Sequence, residues 1–162
     1  MTQVVMGVDP GSRHTGFGVI LGEEGRLNHL AHGQIAAKST APLELRLCQI
    51  YDGLVALLEE HRPHSLALED MFLAINVQTA IILGQVRGVV LLAAAKAQVP
   101  IHLYPPLTVK KAVVGYGQAS KSQVQMMVKQ LLGVELKNEH AADALAVGMC
   151  HLFHSRWPGA SP

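Results

Sequence analysis

The 162-residue sequence contains little cysteine, and its two cysteines are far apart. Neither Cys48 nor Cys150 belongs to a C-x-x-C pair, which excludes a disulfide framework and a cysteine-rich zinc site. The N-terminus has no basic flank before an apolar segment, and the most apolar stretch, residues 81–99, is interrupted by Gln85, Arg87 and Lys96. We therefore predict a cytoplasmic protein with neither an export signal nor a membrane span.

Acidic residues are absent from a long central segment. The whole chain carries thirteen Lys+Arg and twelve Asp+Glu, a net charge of +1. Residues 71–134, however, contain six basic side chains and no acidic one, whereas residues 1–70 contain five basic and nine acidic. Such a one-signed segment is commonly a solvated face, but it is also what a phosphate-binding surface requires. The charge pattern alone leaves both interpretations open.

Apolar residues make up 49% of the sequence and charged residues 15%. This balance supplies a core for one domain, which we assign to residues 1–154, with a flexible C-terminal tail over residues 155–162. Apolar runs at 4–8, 17–21 and 26–35 predict an antiparallel meander, because proline and glycine mark the turns between them. A helix over 42–61 then leads to a short strand at 65–69, and the right-handed crossover rule places that strand parallel to the first.

The second half of the sequence predicts mainly helices. A fifth strand is expected at 101–104, and helices are expected over 76–98, 107–114, 120–132 and 140–153. The fold class is therefore α/β, with a five-stranded mixed sheet flanked by helices. The helix over 76–98 is apolar nearly all round, which predicts burial on both sides. Gly84 and Gly88 would let a backbone approach it closely, either within the domain or across a homodimer.

Acidic side chains follow two strands that we expect to be neighbours. Asp9 and Glu69 end these strands, and ligands of open α/β sheets bind beyond the carboxyl ends of parallel strands. His140 and Asp143 share one face of the last helix. Converging carboxylates repel one another unless cations neutralise them, and oxygen ligands suit Mg²⁺ or Mn²⁺. A pair of such ions can promote phosphodiester hydrolysis.

Each acidic position also has a simpler interpretation. Asp9 could belong to a plain Asp-Pro-Gly turn, Glu69 could be a solvated strand end, and Asp143 could be an acid placed at a helix N-terminus. Two other functions compete with a nuclease. The first is an ATPase of the actin and sugar-kinase type, for which 162 residues leave no room for a second lobe. The second is a DNA-junction binder without catalysis.

The order of several sequence blocks resembles the RuvC-type crossover (Holliday) junction endonucleases of bacteria. The likeness covers residues 3 to about 154, and its blocks are MGVDPG with TGFG, LE followed by Phe72, LGQVRG, VKKAVVG, KSQVQ and AADALA. The resemblance implies a ribonuclease-H-like fold, a homodimer and two Mg²⁺ or Mn²⁺ ions per site. It also implies paired symmetric nicks at a four-way DNA junction, 5′-phosphate products, and a branch-migration complex of the RuvA and RuvB type as partner.

The resemblance also assigns roles to individual residues. It implies that Asp9, Glu69, His140 and Asp143 are the metal-binding and catalytic set. Many members have aspartate where this chain has His140, which predicts a preference for manganese. It further makes Lys110 a catalytic cation near the scissile phosphate. The implied DNA-binding residues are Phe72, Arg87, Lys110, Lys121 and Lys129.

Two of these assignments have their own sequence arguments. Lys121 follows a capping box formed by Ser120 and Gln123, so it lies in the first turn of a helix, where free amides favour phosphate. Lys129 continues along the polar face of the same helix. A solubilising surface charge is the alternative for every lysine. Phe72 could meet unpaired bases at the junction centre or plug the base of a loop.

Overall fold

The computed structural model describes residues 2–70 and 76–155, and its five strands form one sheet in the order β3-β2-β1-β4-β5. The strands are β1 (Thr2–Asp9), β2 (His14–Glu23), β3 (Arg26–Ala36), β4 (Ser65–Glu69) and β5 (Ile101–Tyr104). The helices are α1 (Leu43–His61), α2 (Val77–Lys96), α3 (Pro106–Val114), α4 (Lys121–Leu132) and α5 (Glu139–Ser155). Strands β1 to β3 are antiparallel, and β4 runs parallel to both β1 and β5. The predicted five-stranded mixed sheet with flanking helices is confirmed.

Helices cover both faces of the sheet. Successive side chains of a strand point to opposite sides, so the strands supply apolar side chains to both faces. Val5 of β1 packs in the core beneath α3, α4 and α5. Met6 and Val8 point the other way and pack with α1 and α2. The chain therefore forms three layers, with two helices on one face of the sheet and three on the other.

Helix α5 lies unusually close to the sheet, because glycines face it. A Cβ atom on Gly7 would collide with the carbonyl oxygen of Ala144, and one on Gly16 would collide with the carbonyl oxygen of His140. Only glycine permits this approach of a helix backbone to a strand. The contact fixes the N-terminal turn of α5 over the end of β1.

Helix α2 differs from the prediction of burial on both sides. Val86, Val90, Ala93 and Ala94 are buried against the sheet and α1. The opposite face is open: Val77, Ile81 and Leu92 are exposed, and a Cβ atom at Gly84 or Gly88 would have no neighbour within 4 Å among the described residues. The prediction that this face is buried within the domain is therefore wrong for the described part of the chain.

By length and composition alone, α2 passes a test for membrane-spanning helices, although charged and polar side chains interrupt its apolar run. Core helices of soluble proteins pass the same test, and the buried face of α2 packs against the rest of the domain.

The end of α5 extends one residue into the predicted tail. Ser155, expected to begin the tail, is the last residue of this helix, and its hydroxyl donates to the Leu152 carbonyl and to the side chain of Gln3. The rest of the predicted tail lies outside the described residues.

Candidate active site

Asp9 lies at the carboxyl end of β1, where a tight turn is held by Thr15. The buried Thr15 hydroxyl donates to the Gly11 carbonyl at 2.8 Å and accepts from the Gly11 amide at 3.3 Å. The parallel register pairs Val8 with Leu68, so Asp9 and Glu69 follow at adjacent strand ends. The crossover rule thus brings the two carboxylates to one edge of the sheet, as the sequence predicts.

The N-terminal turn of α5 brings a histidine onto Asp9. Asn138 caps this turn, since its side-chain oxygen accepts from the His140 amide at 2.8 Å and from the Ala141 amide at 3.4 Å. Nδ1 of His140 then lies 2.9 Å from Oδ2 of Asp9. Because α5 approaches the sheet so closely at Gly16, which pairs with Asp9 across β1 and β2, the imidazole reaches the strand end.

Lys121 links the beginnings of α4 and α5. The predicted capping box is present, with Ser120 and Gln123 each bonding to the backbone of the other. The Lys121 ammonium lies 3.1 Å from Oδ2 of Asp143 and 3.2 Å from Oε2 of Glu139. Burial opposes its charge, but the bonds to Asp143 and Glu139 raise the pKa of Lys121 above its usual value. Glu139 was not singled out by the sequence, and only its spacing of four residues from Asp143 places the two acids on one helix face.

The electrostatics of the three acids reflect burial and mutual repulsion. Burial raises the pKa of Asp9, and Asp143 raises it further, while the hydrogen bond to His140 opposes both effects. The pKa of Glu69 is raised by burial and then by Asp9 and Asp143. Burial also raises the pKa of Asp143, against the bond from Lys121. The three carboxylates therefore interact with one another, as a site that binds cations requires.

A cavity of about 230 Å³ lies beside these acids. Glu69, Asp143, Lys110 and Lys121 supply its charged lining. The remaining wall is formed by Pro106, Val109, Val124 and Ala146. Two lysines predicted for phosphate contact and two of the predicted metal-binding acids thus share one open cavity.

Arg87 and Lys129, the other described residues predicted to bind DNA, do not line this cavity. Arg87 forms an ion pair with Asp70 at 3.1 Å and reaches the Glu69 carbonyl at 3.4 Å, and only 15% of its side chain is exposed. In this position Arg87 anchors the end of β4. Lys129 lines a separate cavity on α4. Phe72 lies outside the described residues.

Residues 5–151 match the family described as crossover junction endodeoxyribonuclease RuvC. The chain belongs to the RuvC family. It is 47% identical over 154 residues to the crossover junction endodeoxyribonuclease RuvC of Syntrophomonas wolfei, covering 94% of this chain and 90% of that protein. Its identity to the RuvC of Geobacter sulfurreducens is 49% over 148 residues, with coverage of 91% and 90%.

A solved RuvC structure has the same fold. T. thermophilus RuvC in complex with a Holliday junction substrate matches with a TM-score of 0.90 and 34% sequence identity, covering 95% of each chain. The predicted ribonuclease-H-like fold is therefore confirmed. As a RuvC-family member this chain is a crossover junction endodeoxyribonuclease, and the alternative of an actin-like ATPase is wrong.

RuvC-family nucleases are metal-dependent, and the donor chemistry of this site fits a divalent ion. Three carboxylates and one imidazole offer hard oxygen donors with one nitrogen, a set that suits Mg²⁺ or Mn²⁺. Within residues 2–70 and 76–155, however, no three acidic, histidine or cysteine side chains form a ready-made ligand cluster. Two of the carboxylates instead pair with cationic or hydrogen-bonding side chains of the protein, Asp9 with His140 and Asp143 with Lys121.

Proposed function

We propose that this RuvC-family protein resolves four-way (Holliday) DNA junctions by paired, symmetric nicks that leave 5′-phosphates. The observation that carries the proposal is the meeting of Asp9, Glu69 and Asp143 from β1, β4 and α5, where each carboxylate is buried enough for its pKa to be raised. These repulsions favour the binding of cations at the site, in addition to the pairing of Asp143 with Lys121 and of Asp9 with His140.

Asp9, Glu69, Asp143 and His140 are the residues that would hold two Mg²⁺ or Mn²⁺ ions. Bound there, the ions would supply an activated water and stabilise the leaving oxygen of the phosphodiester. The imidazole of His140 favours manganese, since nitrogen donors bind the softer ion better than they bind magnesium.

The lysines of the cavity act on the phosphate. Lys110 lies in the cavity wall close enough to Glu69 to lower the pKa of that carboxyl against the larger effect of burial. There it would offset negative charge that develops on the phosphate during attack. Lys121, once released by Asp143, would hold the DNA backbone.

Paired nicks need two sites related by a two-fold axis, and the open face of α2 supports an isologous dimer. Leu92 is 54% exposed and Val77 is 76% exposed on this helix, while Gly84 and Gly88 leave room for a second backbone. A second copy of the chain would cover this apolar face. We place the protein in the cytoplasm, where a branch-migration complex of the RuvA and RuvB type would present the junction.

The deciding experiment is a nicking assay on a synthetic four-way junction with both strand pairs labelled. We expect cuts at symmetric positions with Mg²⁺ and faster cutting with Mn²⁺, no cutting in EDTA, and no cutting of a linear duplex of the same sequence. Asp9→Asn should bind the junction and leave it intact. Junction binding without nicks in either metal would favour the alternative of a non-catalytic junction binder, and equal cutting of the linear duplex would contradict junction selectivity.

A further inference from the structure

A second cavity, of about 200 Å³, lies between α4 and the segment that precedes α5. Its polar lining consists of Gln125, Lys129, Lys137, Asn138 and Glu139. We refer to it as the α4 cavity. None of the catalytic acids lines it.

The chain geometry after α4 creates this cavity. Gly133 ends the helix in the left-handed conformation, with φ of 64°, and its amide donates to the Lys129 carbonyl. The Val134 amide donates to the same carbonyl at 3.2 Å. The chain thus leaves α4 through a tight turn and is anchored by the buried side chain of Leu136. Lys137 and Lys129, eight residues apart, come to line the same cavity.

The lining is rich in hydrogen-bond donors. Lys129 and Lys137 each contribute an ammonium group, and Gln125 contributes a side-chain amide. The oxygen of Asn138 accepts from the backbone of α5, which leaves its NH₂ group as a donor. Glu139 is the one acid in this lining, and its carboxylate already pairs with Lys121 at 3.2 Å. Two cations with two amide donors match the charge and acceptors of a phosphodiester.

The α4 cavity is lined by the same helix as the cavity of about 230 Å³ beside the acids, which we call the catalytic cavity. Lys121, Gln125 and Lys129 occur at positions i, i+4 and i+8, so they form one stripe along α4. Lys121 and Lys129 are separated by about 12 Å along the helix axis. Since one DNA strand carries a phosphate about every 3.4 Å of duplex axis, a phosphate beside Lys129 would lie a few nucleotides from one beside Lys121.

We propose that the α4 cavity is a second phosphate-binding subsite, which holds the cleaved strand a few nucleotides from the cut. The proposal rests on the proposed function, because it takes the strand bound in the catalytic cavity as its reference. Asn138 lines the subsite and caps the turn that carries His140, so a bound phosphate also stabilises the turn that places the imidazole on Asp9.

The test uses Lys129→Gln with Lys137→Gln in the full-length chain, compared with a control that loses two lysines outside the cavity, Lys96→Gln with Lys111→Gln. Binding of a four-way junction and of a linear duplex is measured in EDTA over a salt series, so that no cleavage occurs. Each lost phosphate contact lowers the slope of log K against log[salt] by about 0.9. Because the subsite holds one phosphate, the cavity variant should lose a slope of about 0.9, so that the wild type loses about three- to fourfold more affinity than the variant between 50 and 200 mM salt.

A methylphosphonate scan of the cleaved strand then locates the contact. In the wild type, neutralising one phosphate a few nucleotides from the cut should weaken binding, and the same replacement should have no further effect in the cavity variant. A slope equal to that of the control, or the lack of any phosphate whose effect depends on the two lysines, would overturn the subsite. The wild type could bind duplex and junction equally while the cavity variant still shows a lower slope of log K against log[salt]. That result would support the phosphate subsite and contradict the proposed selectivity for junctions.

Discussion

The ammonium nitrogen of Lys121 lies 3.1 Å from Oδ2 of Asp143, so a carboxylate expected to bind metal already has a cationic partner. Lys110 lines the same cavity without an ion pair to an acid among the described residues. Substituting each lysine in turn therefore distinguishes direct competition with a metal for Asp143 from a general effect of positive charge in the cavity. Because Asp143 is turned toward Lys121, the acids among the described residues do not form a ready-made metal-ligand cluster.

Replacing Lys121 by glutamine should strengthen Mn²⁺ binding in the absence of DNA, because Asp143 loses its competing partner. The side chains are partly exposed, and an ion pair of this kind is worth up to ~1 kcal/mol, so the gain should be about three- to fivefold. Isothermal titration with Mn²⁺ measures it. Lys110→Gln should give a smaller gain. An equal gain in both variants would indicate a general charge effect, and no gain in Lys121→Gln would rule out competition.

Gly16→Ala tests whether the close approach of α5 places His140. The new methyl group would meet the His140 carbonyl, and overpacking of this kind costs about 1–3 kcal/mol. We expect a lower Tm and a loss of nicking greater than the loss of junction binding, because the imidazole moves away from Asp9. Gly117→Ala adds the same methyl group in the turn between α3 and α4, where the nearest atoms are those of Leu107 at 3.6 Å or more, and should leave the Tm nearly unchanged. A Gly16→Ala variant with normal nicking would contradict this role.

The sequence predicted the two strand-end acids better than their partners. Asp9 and Glu69 follow from local features, since short apolar runs end at these residues and the crossover rule makes the strands neighbours. The capping box of α4 is equally local, because Ser120 and Gln123 are three residues apart.

The contacts between elements were not predictable in the same way. The pairing of Lys121 with Asp143 depends on how α4 packs beside α5, and no spacing within either helix encodes it. The ion pair of Arg87 on α2 with Asp70 after β4 also joins two elements and is not encoded in either, and the DNA contact that the resemblance implies for Arg87 stays a prediction. Hydropathy correctly marked α2 as a helix, but hydropathy carries no information on which of its apolar faces is buried within the domain.

His140→Asp tests the metal preference. The change replaces the nitrogen donor by a carboxylate, which favours the harder ion, so the ratio of manganese-supported to magnesium-supported nicking should fall. Rates at saturating concentrations of each ion measure the ratio. His14 stacks on His140 at a ring distance of 5.9 Å, so His14→Asp adds the same charge nearby without changing a ligand. If the ratio is unchanged in His140→Asp, or falls equally in His14→Asp, His140 does not set the preference.

Leu92→Glu tests the dimer proposed for the open face of α2. A carboxylate in an apolar interface is costly to bury, so the variant should be monomeric by light scattering and should no longer make paired cuts. Leu45 on α1 has nearly the same exposure, 53% against 54%, and Leu45→Glu should leave the oligomeric state unchanged. A wild-type protein that is monomeric at assay concentration, or a dimeric Leu92→Glu variant, would remove this face as the interface.

His151 should make the stability of the fold depend on pH. Its Nδ1 lies 2.7 Å from the Tyr104 hydroxyl and its Nε2 lies 2.9 Å from the Ser65 hydroxyl, on a side chain buried between α5 and the sheet. Burial, with help from His102 and His154, lowers the pKa of His151 to about 4. The unfolded chain, with a histidine pKa near 6.5, then binds more protons than the folded chain between these values.

The neutral form of His151 therefore contributes fully to the free energy of unfolding above about pH 6.5. This contribution falls by at most about 3 kcal/mol as the pH is lowered toward 4. Urea unfolding at pH 7.5 and pH 5 measures the difference. His151→Gln, which keeps a hydrogen-bonding side chain that does not titrate, should be less stable at pH 7.5 and should lose less stability on acidification. The acids of the candidate site change stability in the opposite direction. Their pKa values are raised in the folded state, so Asp9, Glu69 and Asp143 stabilise the fold as they take up protons. The comparison with His151→Gln separates the effect of the histidine from theirs. Equal pH dependence in both proteins would mean that His151 is not the titrating group.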